Sequence, residues 1–222
     1  MTPSIPNMNI AVLGAGRMGR AVGARLALAG HHVSLGSRTP RPRDEATGAM
    51  GTVTYADATR HSDLILLTTE GVDCAAALAA AGPLAGKILL DCTNPDRPDG
   101  YTLAQGRDTS LGEENAKHAP GAAVVKALNH IWADTIEDPE VARRAPVAFV
   151  CGDDDAAKRT VISLLEQLGL TPVDAGGLVS ARYTEPLAVL TVSMVSRLGW
   201  EPQGVEISLA GAPRSKGRPA KG

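Results

Sequence analysis

An α/β fold built on a doubly wound, mainly parallel sheet is predicted by three observations. Short apolar runs of strand length alternate with helical segments over most of the 222 residues. One run, Asp63–Thr69 (DLILLTT), is apolar without alternation, as a strand covered on both faces requires. A glycine-rich turn, Gly14–Gly19, follows the first run at once and opens the first helix. Composition agrees. A hydrophobic fraction of 44% can fill a core, and with 3% aromatic residues that core is made of Leu, Val, Ile and Ala.

The elements follow in order. Asn9–Leu13 reads as a buried strand and Arg17–Ala29 as a helix stopped by Gly30. His32–Leu35 is a second strand, Thr52–Tyr55 a third, and Ala56–Ser62 a brief helix or turn. Asp63–Thr69 is the central strand, Val72–Ala81 is an Ala-rich helix, and Lys87–Thr93 (KILLDCT) is the fifth strand. Asn94–Asp108, rich in Pro, Gly and Asp, is a loop at a strand's C-terminal end. Ser110 and Glu113 have the spacing of a capping box that opens a helix ending before Pro120. Ala122–Ala127 is a sixth strand, and Ile131–Arg144 is helical but interrupted by Pro139. The pattern then restarts with strand Val147–Cys151, helix Asp153–Leu168, strand Thr171–Asp174 and the apolar helix Leu178–Leu198. This divides the chain into residues 1–146 and a small C-terminal α/β domain, 147–212, too small to bury a core alone and therefore packed on the first. Residues 213–222, where Arg214, Lys216, Arg218 and Lys221 stand among Gly and Pro, read as a disordered tail.

Several function classes are excluded. The net charge of −2 gives no basic field for nucleic acid. The 3 cysteines, Cys74, Cys92 and Cys151, stand far apart, which suits neither a zinc site nor a disulfide framework and fits a reducing cytoplasm. The 5 histidines show no metal-ligand spacing. Met1–Asn9 lacks a secretion pattern, and no apolar run is long enough to span a bilayer.

Gly14-Ala15-Gly16-Arg17-Met18-Gly19 is GxGxxG between a strand and a helix, with a second strand beyond, the context of a Rossmann-type dinucleotide site. Gly14 permits the tight turn, Gly16 leaves room for a pyrophosphate, and Gly19 lets the helix approach the sheet. The helix N-terminus supplies free amides and partial positive charge. NAD-binding versions place an acid at the end of the second strand. Here that stretch is Ser34-Leu35-Gly36-Ser37-Arg38, without a carboxylate. Ser37 can donate a hydroxyl and Arg38 a guanidinium to a 2′-phosphate, and Arg41 and Arg43 follow, so NADP is expected rather than NAD.

The Gly-loop, Gly36-Ser37-Arg38, Asn94-Pro95, Val125–Asn129 (VKALN), Val150–Asp155 (VCGDDD), Asp174-Ala175-Gly176 and Glu185-Pro186-Leu187 together resemble the NADPH:coenzyme F420 oxidoreductase family. The resemblance runs from about Asn9 to Ala210. It implies a Rossmann domain, a small C-terminal domain, and a cleft in which nicotinamide and deazaflavin stack and hydride passes directly. By motif, Gly14–Gly19 would hold the pyrophosphate, and Ser37 and Arg38 the 2′-phosphate. Thr68 and Thr69 would line the nicotinamide ribose, and Asn94 and Pro95 would face the cleft. The family often carries Pro and Trp where this chain has Thr68-Thr69-Glu70-Gly71, and Phe near Leu128.

Hydride transfer between two cofactors needs alignment and exclusion of water, not a side-chain nucleophile. The sequence accordingly offers no catalytic acid–base pair: Tyr183 is followed four residues on by Leu187, not Lys, and no Ser/His/Asp set is visible. Lys126 and Asn129 are the best polar pair near the expected cleft, either positioning cofactor or substrate or anchoring a loop, with a catalytic acid the third choice. His130 reads first as a surface or packed residue and second as a substrate contact, Trp132 and Trp200 as packing residues, Glu185 as an exposed helix acid or else a bridge between the domains or to a subunit partner, and Cys92 as an inert thiol. The apolar stretch Leu187–Val195 suggests burial on several sides or a homodimer interface. Two alternatives to F420 are an NADPH-dependent reductase of a small imine or carbonyl and a non-catalytic NADP(H) sensor.

Overall fold

The structure, a computed structural model, describes residues 5–43, 50–96, 103–104, 106, 108–138, 145–199 and 207. Its elements run β1 (Asn9–Leu13), α1 (Arg17–Leu28), β2 (His32–Gly36), α2 (Tyr55–Thr59), β3 (Leu64–Leu67), α3 (Cys74–Ala81), β4 (Ile88–Asp91), α4 (Leu111–His118), β5 (Ala123–Lys126), α5 (Ala133–Glu137), β6 (Val147–Gly152), α6 (Asp155–Gln167), β7 (Thr171–Asp174) and α7 (Ala181–Leu198). Short 3-10 turns, Gly71–Asp73 and Leu178–Ser180, lead into α3 and α7.

The strands form one seven-stranded sheet in the order β2-β1-β3-β4-β5-β6-β7. All neighbours are parallel except β5 and β6, whose antiparallel pairing joins Val125 to Gly152 and Lys126 to Cys151. The order reverses at β1, with β2 on one side and β3 on the other, so a crevice opens beyond their C-terminal ends.

Strand side chains alternate between two cores. Ile10, Val12, Leu64, Leu66 and Leu90 point to the face covered by Val22 and Leu26 of α1, Ile136 of α5, and Val161 and Leu164 of α6. Ala11, Leu13, Ile65, Leu67 and Leu89 point to the other, under Ala58 of α2 and Ala77, Leu78 and Ala81 of α3. All four β3 residues are fully buried, which explains the unbroken apolar run.

Two predicted elements change. The predicted strand Thr52–Tyr55 shrinks to one bridge, Val53 with Gly36. The cause is local: Thr54 Oγ1 accepts the Asp57 N–H at 3.1 Å and caps α2, so the chain turns helical where a ladder would have continued. The predicted helix Ile131–Arg144 appears as α5, Ala133–Glu137, and residues 139–144 lie outside the described residues, as do Trp200 and the tail 213–222. The capping box at α4 forms on one side: Ser110 Oγ accepts the Glu113 N–H at 3.2 Å and donates to Glu113 Oε2 at 2.8 Å. Among the described residues, no helix is long and apolar enough to cross a membrane and no cluster of metal-ligating side chains occurs.

Candidate functional site

The glycine loop sits at the crevice beyond β1. Gly14 has φ +114°, and a Cβ there would meet the Thr68 carbonyl at 2.8 Å; a Cβ on Gly19 would lie 2.0 Å from the Gly14 oxygen. No other residue fits at either place. Thr68, just past β3, donates its hydroxyl to the Gly14 oxygen at 2.9 Å and fixes the loop to the central strand. Gly16 is different: a Cβ there would meet nothing within 4 Å, so its side faces open space. It is the N-cap of α1, has no side chain to satisfy the first amides, and no acid stands in the first turn. Those amides and the helix dipole are left for an anion.

Around them lies a cavity of about 420 Å³ lined by Gly14, Ala15, Gly16, Arg20, Ser37, Arg38, Thr39, Arg41, Thr52, Tyr55, Thr68, Thr69, Glu70 and Asp73. Ser37 Oγ accepts the Thr39 N–H at 3.2 Å, holding the turn after β2. Arg20 donates to the carbonyls of Ala15 at 2.9 Å and Met50 at 3.2 Å. Burial raises the Tyr55 hydroxyl's pKa, so it stays a neutral hydrogen-bonding group. Three guanidinium-bearing residues against two carboxylate-bearing ones, with open helix amides, form a donor set that fits a phosphate-rich dinucleotide.

The second cavity, about 240 Å³, shares Thr68, Thr69 and Glu70 with the first. Its other walls include Met18, Cys92, Thr93, Asn94, Leu128, Asn129, His130, Trp132, Ala188 and Thr191. Asn94 and Asn129 pair reciprocally: Asn94 Nδ2 donates to the Asn129 carbonyl at 2.7 Å, and Asn129 Nδ2 to Asn94 Oδ1 at 3.0 Å. Asn129 Nδ2 also donates to the Thr184 carbonyl at 2.9 Å, tying this wall to α7. Leu128, with φ +64°, turns the chain sharply between β5 and Asn129, a conformation costly for a branched residue. Burial depresses the His130 pKa, and the neutral ring donates Nε2–H to the Val147 carbonyl at 2.9 Å. The Cys92 thiol is pushed up by burial, leaving it protonated and unreactive.

Not every expected site residue reaches these cavities. Arg17 starts α1, but its guanidinium turns to α5, meeting Asp134 at 2.5 Å and Glu137 at 2.7 Å, and these acids hold it in its charged form. Pro95 is buried beside Asn94 and lines neither cavity. Lys126 is 0% exposed. Its ammonium meets Asp91 Oδ2 at 3.2 Å, Glu185 Oε1 at 2.9 Å, and the Thr93 carbonyl. Burial opposes its charge, but Asp91 and Glu185 outweigh burial and hold the amine above its usual range. Glu185 in turn accepts the N–H groups of Leu111 and Gly112, both at 2.9 Å, at the start of α4. It is therefore a buried link between α4, β5 and α7, not an exposed acid.

Sequence reasoning missed Asp91, Thr93 and Asn115, the rest of this cluster. Asp91 accepts from Thr93 Oγ1 at 2.7 Å and from Asn115 Nδ2 at 3.0 Å. A signal was available. Asp91 ends an apolar buried strand, where a lone carboxylate needs a cation, and Lys126 is its direct partner in the β4–β5 register. Glu70, Asp73, Thr39 and Tyr55 in the first cavity were missed because they arrive from three separate stretches of chain, the turn after β2, the start of α2 and the connection from β3 to α3.

The comparisons with known proteins fit this geometry. Residues 9–95 match the model of a family described as NADP oxidoreductase, coenzyme F420-dependent. A crystal structure from Arthrobacter sp. FB24, provisionally named an F420-dependent NADP reductase, is 36% identical with a TM-score of 0.79, over 87% of this chain and 96% of that one. Metalloreductase STEAP3 of Rattus norvegicus is 32% identical over 185 residues, which is 82% of this chain but 37% of the relative, so the chain spans little more than a third of that protein. The F420-dependent NADP reductase of Methanothermobacter marburgensis is 29% identical over 213 residues, covering 84% of this chain and 92% of the relative. The chain belongs to the coenzyme F420-dependent NADP oxidoreductase family.

Proposed function

We infer that the protein transfers hydride between NADP(H) and coenzyme F420. The carrying observation is the junction of the two cavities at Thr68, Thr69 and Glu70, beyond the central strand. A dinucleotide held by the glycine loop runs along the first cavity and delivers its nicotinamide to that junction. When both are bound, NADPH gives a hydride from its nicotinamide carbon to a ring carbon of the deazaflavin, and one solvent proton completes the reduced product.

The chain's own residues supply position. The amides of Ala15 to Gly19 hold the pyrophosphate. Ser37 and Arg38 hold the 2′-phosphate, while the Arg17 side chain braces α5. Thr68 and Thr69 border the nicotinamide ribose. Asn94 and Asn129, locked to each other and to α7, shape the wall facing the acceptor, with the ring of Pro95 restricting the backbone of Asn94. Lys126 acts beneath this wall by holding the Thr93 carbonyl. In this reading residues 147–199 complete a cleft whose other side is the dinucleotide-binding part of the chain. A second copy would dock on the exposed stripe of α7 formed by Tyr183, Leu190, Met194 and Leu198, giving a homodimer that light scattering would detect. The free, buried Cys74, Cys92 and Cys151 suit a reducing cytoplasm.

The test is to mix the purified protein with NADPH and oxidised F420 and follow both absorbances. The expected result is their joint, stoichiometric loss. Oxidation of NADPH by a small imine or ketone while F420 stays oxidised would overturn the assignment of the acceptor, and no oxidation at all would favour a sensor.

A further inference from the structure

The first cavity contains an ion pair that its proposed occupant has to disturb. Arg38 belongs to the wall that follows β2. Asp73 belongs to the facing wall, at the end of the 3-10 turn leading into α3. Arg38 Nη1 donates to Asp73 Oδ1 at 3.1 Å. Both side chains also line an adjoining recess with Thr54, Tyr55, Ala76 and Ala77, so the pair spans the space from wall to wall. It is loosely held. There is one contact, and the side chains are 70% and 30% exposed. Such a pair exchanges readily, and the guanidinium keeps four other N–H donors for a second anion. Arg20, by contrast, has donors committed to two backbone carbonyls.

We propose that Asp73 is a specificity-determining residue that competes with the 2′-phosphate of NADP(H) for Arg38 and repels that phosphate once it is seated. The inference rests on the assignment of the first cavity to NADP(H). A 2′-phosphate gains Arg38 and Ser37 but faces a carboxylate across a narrow space, an arrangement that weakens its binding. NADH carries a hydroxyl at that position and escapes the repulsion. Asp73 thus narrows the NADPH-over-NADH preference that Arg38 creates, which favours release of the oxidised or reduced dinucleotide after turnover.

The variant Asp73→Asn keeps the shape and removes the charge. Asp73 makes no side-chain capping bond to α3, so the exchange removes no cap. Fluorescence titration of NADPH and NADH should show NADPH binding roughly two- to fivefold tighter in the variant, the range of one exposed charge contact. NADH affinity should stay within error, and the NADPH gain should shrink at high ionic strength. Unchanged or weaker NADPH binding would mean that Asp73 merely buttresses Arg38, and would overturn the proposal. Arg38→Ala separates the two levels. If it leaves the NADPH-to-NADH ratio unaltered, the 2′-phosphate assignment itself fails. If it collapses that ratio while Asp73→Asn does nothing, only the role given to Asp73 fails.

Discussion

The first cavity and the buried cluster under the second are both built from charged and polar side chains, yet they obey opposite rules. In the cavity, Arg38 and the helix amides face open space, and the pairing of Arg38 with Asp73 is a single contact that a ligand can replace. In the cluster, Lys126, Asp91, Glu185 and Asn115 are at most 1% exposed, and the ammonium is surrounded by two carboxylates and a carbonyl. The first arrangement stores binding capacity. The second spends it, fixing β4, β5, α4 and α7 so that the Asn94–Asn129 wall stands still. Charge in a protein reads as a ligand site where its partners are missing and as a scaffold where they are complete.

The largest effect should come from breaking the scaffold. Lys126→Met leaves Asp91 and Glu185 buried without their cation, and urea unfolding should show a loss of about 3–5 kcal/mol. A loss near zero would mean that the cluster is not a charged network. Next, Arg38→Ala removes a charge-assisted contact worth roughly 1.5–3 kcal/mol, so NADPH affinity should fall about 10- to 100-fold with NADH little changed. Equal losses for both would erase the contrast between cavity and scaffold. A smaller effect is expected at Asn129. Asn129→Ala frees Asn94 and the contact to Thr184, and should lower kcat by about tenfold through lost alignment while the NADPH Kd stays constant.

The smallest effect is a pH dependence at His130. Burial keeps its folded pKa below the ordinary 6.5, so the unfolded chain takes up the proton more readily. Its contribution to stability is complete above about pH 6.5 and declines as pH falls from there toward the folded value. Unfolding curves measured through this range should show the decline in the parent protein and less of it in His130→Gln. A steeper decline in the variant would contradict the neutral, Val147-bound ring.

Local signals carried much of this to the level of sequence. GxGxxG is contiguous, its residues act through one turn, and the absence of an acid at Ser37 is visible without a structure. The parallel strands were legible because burial on both faces leaves unbroken apolar runs such as Leu64–Leu67. The edge was not: Thr52–Tyr55 has strand composition, but the hydroxyl of Thr54 caps a helix instead. The cluster was hidden because its members are scattered along the chain, from Asp91 at the end of β4 to Glu185 in α7. Glu185 alone looks like any exposed helix acid until β4 and β5 bring Asp91 and Lys126 into register beneath it.

The central claim is direct transfer between two ligands meeting at Thr68 and Thr69. NADPH deuterated at the transferring position of its nicotinamide ring, incubated with the protein and oxidised F420, tests it in one mass spectrum. The expected result is deuterium on the ring carbon of reduced F420, unexchanged with water. Reduced F420 lacking the label, or labelled NADPH consumed with F420 left oxidised, would contradict it.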